Sequence, residues 1–346
     1  MSQKTNSGNF FEDFEFGQII AHATPRTVNE GDVALYRALY PTRFALTASD
    51  LFAQNSGLDA SPVDELLAFH VAFGKTVPDI SLNAVANLGY ADCRFLDAIY
   101  PGDTINAESE IIGLKQNASG KTGVVYVRSR AFTNEETPCA EWVRWVMVRK
   151  RDIDAPAPDA VVPKLAAAVK PDQLRIPSNL DFDEYDTDLA GAPHLYNDYR
   201  IGECIDHVDG VTLEEAEHMM ATRLWQNTAK VHFNTQARED GKRLIYGGHI
   251  ISIARALSFN GLANAQLVAA INAGVHANPA FAGDTVYAWS EVLDKAELDS
   301  PTIAAMRLRT VAVKNAPAAD FRLKTEDNTY LPDVLLNLDY WVLIPR

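Results

Sequence analysis

The sequence predicts an α+β protein made of two similar halves, each an antiparallel β-sheet wrapped around one buried helix. Three observations support this fold class. First, residues 152–190 include a Pro- and Ala-rich stretch typical of a linker, which separates residues 1–151 from residues 191–346. Second, the two halves repeat one another. Third, each half contains one strongly apolar helical run followed by four alternating β runs.

The repeat is clearest at the start of one predicted strand in each half. Residues 100–112 read Tyr-Pro-Gly-Asp-Thr-Ile-Asn-Ala-Glu-Ser-Glu-Ile-Ile, and residues 281–293 read Phe-Ala-Gly-Asp-Thr-Val-Tyr-Ala-Trp-Ser-Glu-Val-Leu. Gly-Asp marks a turn, and the alternating residues after it indicate a strand. Because the match extends well beyond the turn, it predicts an internal duplication.

A short helix is predicted near the start of each half. Thr27 and Glu30, like Thr212 and Glu215, have the spacing of a capping box. In that motif the Thr side chain accepts the N3 backbone N–H, and the Glu side chain accepts the Thr N–H. The predicted helices cover about residues 28–40 and 213–225.

A longer helix is predicted next, over residues 63–76 in the first half and 248–259 in the second. Both runs are apolar nearly all round, as expected for buried helices. Alternating runs then predict four strands in each half. In order, they are residues 83–95, 104–115, 121–132, 139–150, 267–277, 285–295, 301–313 and 335–345.

Composition excludes several classes of protein. A net charge of −15 argues against a nucleic-acid partner, because phosphate binding requires clustered Lys and Arg. No run approaches the roughly 18 apolar residues of a membrane span, and the N-terminus lacks an apolar signal core. The three cysteines are widely spaced and form no disulfide or metal pattern. We therefore expect a soluble, cytoplasmic protein.

The pattern of these elements resembles a known family. The Gly-led helix near residue 248, the Gly-Asp-Thr strand start and the upstream His motif in residues 225–234 resemble the hotdog fold of the MaoC-like, R-specific enoyl-CoA hydratases. Two such halves resemble the double-hotdog members. The resemblance implies reversible addition of water to a branched, dicarboxylic enoyl-CoA thioester, with no cofactor and no metal ion. It also implies a homodimer.

Hydration of an unsaturated thioester needs a base for the water, donors for the charge on the thioester oxygen, and a proton for Cα. The family motif, Gly-Asp-x-Asn-Pro-x-His, places its His on His232 and its Asp on Asn227. Asn227 can hold a water but cannot accept its proton. Either His232 is the only base, or a carboxylate from elsewhere substitutes. The candidates for that carboxylate are Glu214, Glu215 and Glu217.

The resemblance also implies that a backbone N–H of Gly248 stabilises the oxyanion, since helix N-termini present free N–H groups. Each of these residues has a simpler interpretation. His232 could be a hydrogen-bonded structural histidine, and Gly248 could only allow close helix packing. Asn234, two residues after His232, either contributes to the site or caps a helix.

The first half lacks the motif, since Thr47 stands opposite His232 in the repeat. By family geometry this half shapes the acyl and CoA pocket. A free substrate carboxylate needs a cation; Arg43 is the first candidate and Arg223 the second. The expected CoA or acyl contacts are Ala60, Ser61, Pro62, Val63, Asn83, Ala84, Val85, Ala86, Arg94, Phe95 and Leu96.

Two other functions stay open on the sequence alone. A hotdog thioesterase needs a carboxylate near the buried helix, and Asp64 and Glu65 are available there. A non-catalytic acyl-binding subunit is suggested by the loss of the motif Asp at Asn227.

Overall fold

The computed structural model describes residues 4–134 and 137–346. Within these ranges the chain forms one antiparallel sheet of ten strands. The strands are β1 (Ile19–Thr27), β2 (Ala84–Phe95), β3 (Thr104–Gln116), β4 (Thr122–Thr133), β5 (Thr137–Arg149), β6 (Cys204–Thr212), β7 (Leu267–His276), β8 (Thr285–Glu297), β9 (Ile303–Lys314) and β10 (Val334–Pro345). Their order across the sheet is β1-β3-β4-β5-β2-β7-β10-β9-β8-β6.

The strand order is symmetric about the pairing of β2 with β7. There Tyr90 lies opposite Gly274, and Arg94 lies opposite Ala270. The predicted α+β fold with two similar halves is confirmed, and the halves share one continuous sheet. The boundaries at residues 151 and 190 stay a prediction.

Two long helices, one from each half, Glu65–Thr76 and Gly247–Leu257, pack against the sheet and are almost fully buried. They are α4 and α8, and neither they nor any other helix in the described ranges is long and apolar enough to span a membrane. In chain order the helices are α1 (Glu30–Leu39), α2 (Ala45–Ala48), α3 (Asp50–Asn55), α4 (Glu65–Thr76), α5 (Thr187–Ala190), α6 (Glu215–Leu224), α7 (Lys230–Phe233), α8 (Gly247–Leu257) and α9 (Phe259–Leu262).

The eight predicted strands and four predicted helices are confirmed, each within two residues at either end. The capping boxes are wrong. Thr27 ends β1 and its hydroxyl bonds that of Thr104 at 2.8 Å, while Thr212 pairs in the same way with Thr285 at 2.9 Å. Both threonines therefore belong to strands, β1 and β6, that the sequence pattern did not reveal. Helix α1 is capped instead by Asn29.

Helix α4 of the first half packs closely against Trp225 and Gln226, at the start of the second-half motif that contains His232. A Cβ added at Gly74 would overlap the carbonyl oxygen of Trp225, so only glycine fits there. Trp225 is fully buried and stacks on Tyr40, with ring centroids 5.9 Å apart. The His70 ring also contacts Trp225, with ring centroids 4.4 Å apart. The chain just before Asn227 is thereby held in place by aromatic contacts from the other half.

Candidate active site

A cavity of about 320 Å³ lies between the two halves, beside the N-terminus of α8. The first half contributes the end of α4, the π-helical turn Val77–Ser81 and parts of β2 and β5. The second half contributes the loop before α7, α7 itself, the start of α8 and the end of β7. Asn227 and His232 both line this cavity, while Gly248 lies buried next to Gly247, which does line it.

A tight loop fixes Asn227 at the cavity wall. The loop turns at Gln226, whose φ of 54° is left-handed. Asn227 is only 2% exposed; its backbone N–H donates to the Thr222 carbonyl at 2.9 Å, and its Oδ1 accepts the Ala229 N–H at 3.1 Å. Asn227 can therefore offer a ligand the Nδ2 donor and the second lone pair of Oδ1.

His232 is held in one tautomer by the backbone. Its Nδ1–H donates to the carbonyl of Leu244 at 2.8 Å, so Nε2 carries the lone pair. Burial lowers the pKa of His232 to about 4. The ring is therefore neutral at pH 7, and it lines the cavity. An unprotonated imidazole in this arrangement can accept a proton from a molecule in the cavity.

The start of α8 presents backbone donors beside this histidine. Tyr246 is the N-cap residue and adds no side-chain cap, so the N–H groups of Gly247 and Gly248 begin the helix. The first N–H groups of a helix have no partner within it and carry a partial positive charge. The backbone N–H of Tyr246 donates to His218 Nε2 at 3.0 Å, which anchors the turn that leads into the helix.

A second histidine, which the sequence analysis did not single out, also lines the cavity. His276 ends β7, and its Nε2 lies 3.3 Å from the Tyr90 hydroxyl. Burial, and then the nearby His232, lower its pKa to about 4. The repeat that pairs residue 281 with residue 100 also pairs His276 with Phe95. Phe95 was a predicted substrate contact, so the histidine at the equivalent position of the second half could have been predicted to face a site as well.

Three polar residues of the first half complete the wall and were also missed. Asn87, Tyr90 and Arg144 line the cavity from β2 and β5. Arg144 stands in the run Trp-Val-Arg-Trp-Val of residues 142–146, where one charge interrupts an apolar strand. A charged side chain in a buried strand is costly unless it has a partner. The single arginine in this apolar run is therefore the sequence signal that could have identified Arg144 as a site residue.

The predicted substrate contacts divide between several places. Ala84, Val85 and Ala86 line the cavity with His232. Asn83 instead donates to the carbonyls of Ser7 and Asn9. Arg94 is paired with Glu141 and Asp92 on the sheet.

The remaining predicted contacts lie outside the cavity. The Arg43 guanidinium sits 4.3 Å from the centre of the Phe259 ring, and Arg223 is exposed on α6. The Asn234 side chain accepts the Gln236 N–H, as a cap of a short 3-10 helix. Ser61 donates to Asp50, and Ala60 precedes it in the same loop.

No carboxylate lines the cavity among the residues that the structure describes. Glu214 and Glu215 are exposed at the start of α6, and Glu215 pairs with Arg243. Glu217 is half-buried on the same helix and is not part of the cavity wall. The substitute carboxylate considered from the sequence therefore has no counterpart in this wall, and His232 and His276 are the imidazoles there that can accept a proton.

A narrower crevice of about 40 Å³ occupies the equivalent place in the first half. It is lined by four of the predicted contacts, Pro62, Val63, Phe95 and Leu96. The Val63 N–H donates to the Ile99 carbonyl as the Ile245 N–H donates to Ala280, so the two helix starts correspond. Glu65 then occupies the position of Gly247. Among the described residues no histidine lines this crevice, so it lacks the base that the larger cavity offers.

Burial of neutral histidines predicts a loss of stability in mild acid. Within the described residues six have pKa values lowered to about 3 or 4, mainly by burial: His70, His207, His218, His232, His249 and His276. An unfolded histidine titrates near pH 6.5. Below that pH the unfolded chain gains protons that the folded chain excludes until about pH 4, so stability falls as the pH falls through this window. Each such histidine contributes up to about 1.4 kcal/mol per pH unit.

Urea unfolding at pH 7.5 and pH 5.0 should show a clearly smaller free energy of unfolding at pH 5.0. Equal values at the two pH values would contradict this account.

Two half-sheets joined edge to edge around two central helices, with a ligand-sized cavity between them, define a double-hotdog protein. A Mycobacterium tuberculosis protein with a double hotdog fold matches 98% of this chain with a TM-score of 0.72, and the match covers 99% of that protein. Its sequence identity is 21%, so the match concerns the fold alone.

Sequence comparison identifies the family. The model for mesaconyl-CoA hydratase matches residues 2–319. A mesaconyl-CoA hydratase of Cereibacter sphaeroides is 63% identical over 343 residues, which cover 99% of this chain and 100% of the relative. A β-methylmalyl-CoA dehydratase of Chloroflexus aurantiacus is 58% identical over 350 residues, covering 100% and 99%. A crystal structure of a MaoC domain protein dehydratase from Chloroflexus aurantiacus has a TM-score of 0.97 and 58% identity, over 100% of this chain and 99% of that one. The chain belongs to the mesaconyl-CoA hydratase family, whose named members here are hydratase and dehydratase enzymes.

Proposed function

We propose that this chain catalyses the reversible addition of water to mesaconyl-CoA (2-methylfumaryl-CoA), which gives β-methylmalyl-CoA. The family supports this reaction, because its two named relatives describe a hydration and a dehydration of these CoA esters. The observation that carries the proposal is the orientation of His232. Its Nδ1–H is committed to the Leu244 carbonyl, which leaves Nε2 as a base at the cavity wall.

His232 would serve as both base and acid in one cycle. Its Nε2 takes a proton from water as the water oxygen attacks Cβ, and the resulting imidazolium returns a proton to Cα on the same face. The outcome is syn addition, with one hydrogen and one hydroxyl added across the double bond. Burial lowers the pKa of His232, so the ring is neutral at pH 7 and able to accept a proton, and the imidazolium that forms is a ready donor to Cα. Asn227 holds the water through its side-chain amide, whose Nδ2 can donate to the water oxygen.

The negative charge that moves onto the thioester oxygen needs a donor. We assign this role to the start of α8, with the Gly248 N–H as the donor implied by the family and Gly247 forming the surface that the acyl group contacts. Helix N–H groups are fixed before the reaction, so they stabilise the enolate without reorganisation.

A substrate panel tests the proposed reaction. Mesaconyl-CoA, crotonyl-CoA and fumaryl-CoA would each be mixed with the protein, and the absorbance of the enoyl thioester followed. We expect a much faster loss with mesaconyl-CoA, and the mass of the product should increase by one water. Absence of turnover with all three esters would rule out the hydratase.

Thioester hydrolysis is the second candidate, because Glu65 lies at the start of α4 and lines the first-half crevice. Burial, and then the nearby Asp64, raise the pKa of Glu65 to about 8. The residue is therefore largely protonated at neutral pH and poorly suited to attack a thioester or to activate water. A thiol reagent should detect no free CoA during turnover. Tight binding of CoA esters without turnover or thiol release would instead indicate a non-catalytic acyl-binding protein.

We also propose that the chain forms a homodimer. Large apolar side chains are exposed near both edges of the sheet, among them Phe16 just before β1, Ile19 at the start of β1 and Ile201 just before β6. Exposed apolar surface at a sheet edge favours contact with a second chain. Light scattering after gel filtration should give twice the chain mass of 38.0 kDa.

A further inference from the structure

Arg144 is a buried cation at the wall of the cavity. It lies in β5, one of the inner strands of the sheet, and is 1% exposed. Its Nη2 donates to the Thr76 hydroxyl at 2.7 Å, and its Nη1 donates weakly to the Ser81 hydroxyl at 3.4 Å. The guanidinium lies 4.2 Å from the centre of the Phe73 ring. Its Nε has no acceptor among the described residues.

No carboxylate of the described residues forms an ion pair with Arg144. Burial lowers its pKa to about 10, so it remains charged at neutral pH. Two neutral hydroxyls and an aromatic face do not compensate a buried charge, which is costly when unpaired. Two other arginines have stronger acceptors for their charge. Arg307 is paired with Asp339 on the sheet, and buried Arg255 donates to the carbonyls of Ala265 and Gln266.

Asn87 adds a second unused polar group on the same wall. Tyr90 lies directly opposite Arg144 across the β2–β5 pair, and Asn87 lies opposite Val146, two residues further on. These side chains therefore share one face of the sheet, and all of them line the cavity. Both amide atoms of Asn87 are buried without a partner among the described residues. The wall thus presents the Arg144 cation, whose Nε has no acceptor, and the Asn87 amide, which has no hydrogen-bond partner among the described residues.

The positions of Arg144 and His232 suit a substrate that carries a free carboxylate on the carbon that water attacks. Arg144 covers Phe73; the Phe73 and Tyr246 rings are 6.1 Å apart, and the Tyr246 and His232 rings are 5.4 Å apart. The Phe73 and Tyr246 rings thus connect the cation to the proposed base, and both groups line the same cavity. In 2-methylfumaryl-CoA the free carboxylate is bonded to Cβ, the carbon that water attacks. An acyl group held between the two walls can meet both.

We propose that Arg144, with the amide of Asn87, binds the free carboxylate of the acyl group, so that the cavity selects dicarboxylic over monocarboxylic enoyl-CoA esters. This proposal rests on the proposed hydratase function and names the group that sets its substrate class. It also has a chemical consequence. An uncompensated carboxylate on Cβ repels the hydroxide character that develops on the attacking water, and a guanidinium against that carboxylate removes the repulsion.

Binding of two unreactive esters tests the proposal without turnover. 2-Methylsuccinyl-CoA and 2-methylbutyryl-CoA differ only in carrying a carboxylate or a methyl group at the position in question. Calorimetry with the wild-type protein should show a preference of about 10- to 100-fold for the dicarboxylic ester, as expected for hydrogen bonds to a charged group. The Arg144→Gln variant should lose this preference mainly through weaker binding of the dicarboxylic ester. Arg144→Lys, which keeps the charge but not the forked geometry, should retain part of it.

Arg255→Gln is the matched control, since it also removes a buried arginine that has no ion-pair partner but lies outside this cavity. It should keep the wild-type preference, and circular dichroism checks the folding of each variant. A folded Arg144→Gln protein that still prefers the dicarboxylic ester would overturn the proposal. Absence of any preference in the wild-type protein would overturn it as well, even if Arg144→Gln does not fold. Hydration of mesaconyl-CoA by the wild type is assayed separately, so the hydratase can stand when the Arg144 proposal fails.

Discussion

Replacing His232 with asparagine is expected to lower kcat for mesaconyl-CoA hydration by about 10²- to 10⁴-fold, the usual contribution of a positioned acid–base group. Asparagine can still donate to the Leu244 carbonyl, which accepts from Nδ1 in the wild type. It cannot accept a proton, so the structural and catalytic roles of the histidine are separated. Initial rates at saturating substrate provide the measurement.

The matched control is His194→Asn, because His194 is exposed and away from the cavity. It should retain wild-type kcat. Near wild-type activity in a folded His232→Asn protein would show that His232 is structural and would move the assignment to His276. A parallel His276→Asn variant then becomes the direct test of that second histidine.

Gly247→Ala is expected to reduce kcat by about 10²- to 10³-fold, the range observed when an oxyanion donor is lost. A Cβ at this position would overlap the imidazole ring of His276. The clash would shift the start of α8 and the donors that it carries, or displace His276 into the cavity. Gly248→Ala should act similarly, because its Cβ would overlap Tyr246 and His70. Steady-state kinetics, with circular dichroism as a check of folding, provide the measurement.

Gly31→Ala controls for the effect of adding a methyl group near a helix start. Gly31 is the second residue of α1, as Gly248 is the second residue of α8, but it is exposed and far from the cavity in the fold. Its activity should be unchanged. If Gly247→Ala and Gly248→Ala were as active as Gly31→Ala, the start of α8 would not stabilise the oxyanion.

Sequence periodicity was sufficient to locate most elements because each of them repeats a simple burial pattern. Strand β3 alternates buried and half-buried residues over most of its length, and α4 is buried at nearly every position. Strands β1 and β6 gave no such signal, since they lie at the edges of the sheet and only His22 and His207 within them are buried. The threonines at their ends then resembled helix caps, although they pair across strands.

The site was harder to predict, for a physical reason. The motif around His232 is continuous in the chain and carries a family register, so it could be found from the sequence. Arg144 and His276 reach the same cavity from strands that are far apart in sequence, and the strand pattern alone does not show which cavity a strand faces. The expected contacts were divided for the same reason: Pro62 and Val63 border the crevice, and Ala84, Val85 and Ala86 border the cavity.

Fusion of the two halves has an evolutionary consequence that is visible in β5 and β10. Arg144 lies opposite Tyr90 and Val127, and Tyr340 lies opposite Ile271 and Leu308, so the two residues are counterparts in the repeat. In a dimer of identical single-hotdog chains, one codon would install a buried cation at both sites, and both would bear the cost of an unpaired charge. Once the gene was duplicated, one copy could specialise for charge recognition while the other kept a neutral, hydrogen-bonded tyrosine. Symmetry breaking of this kind is not open to a dimer of two identical chains.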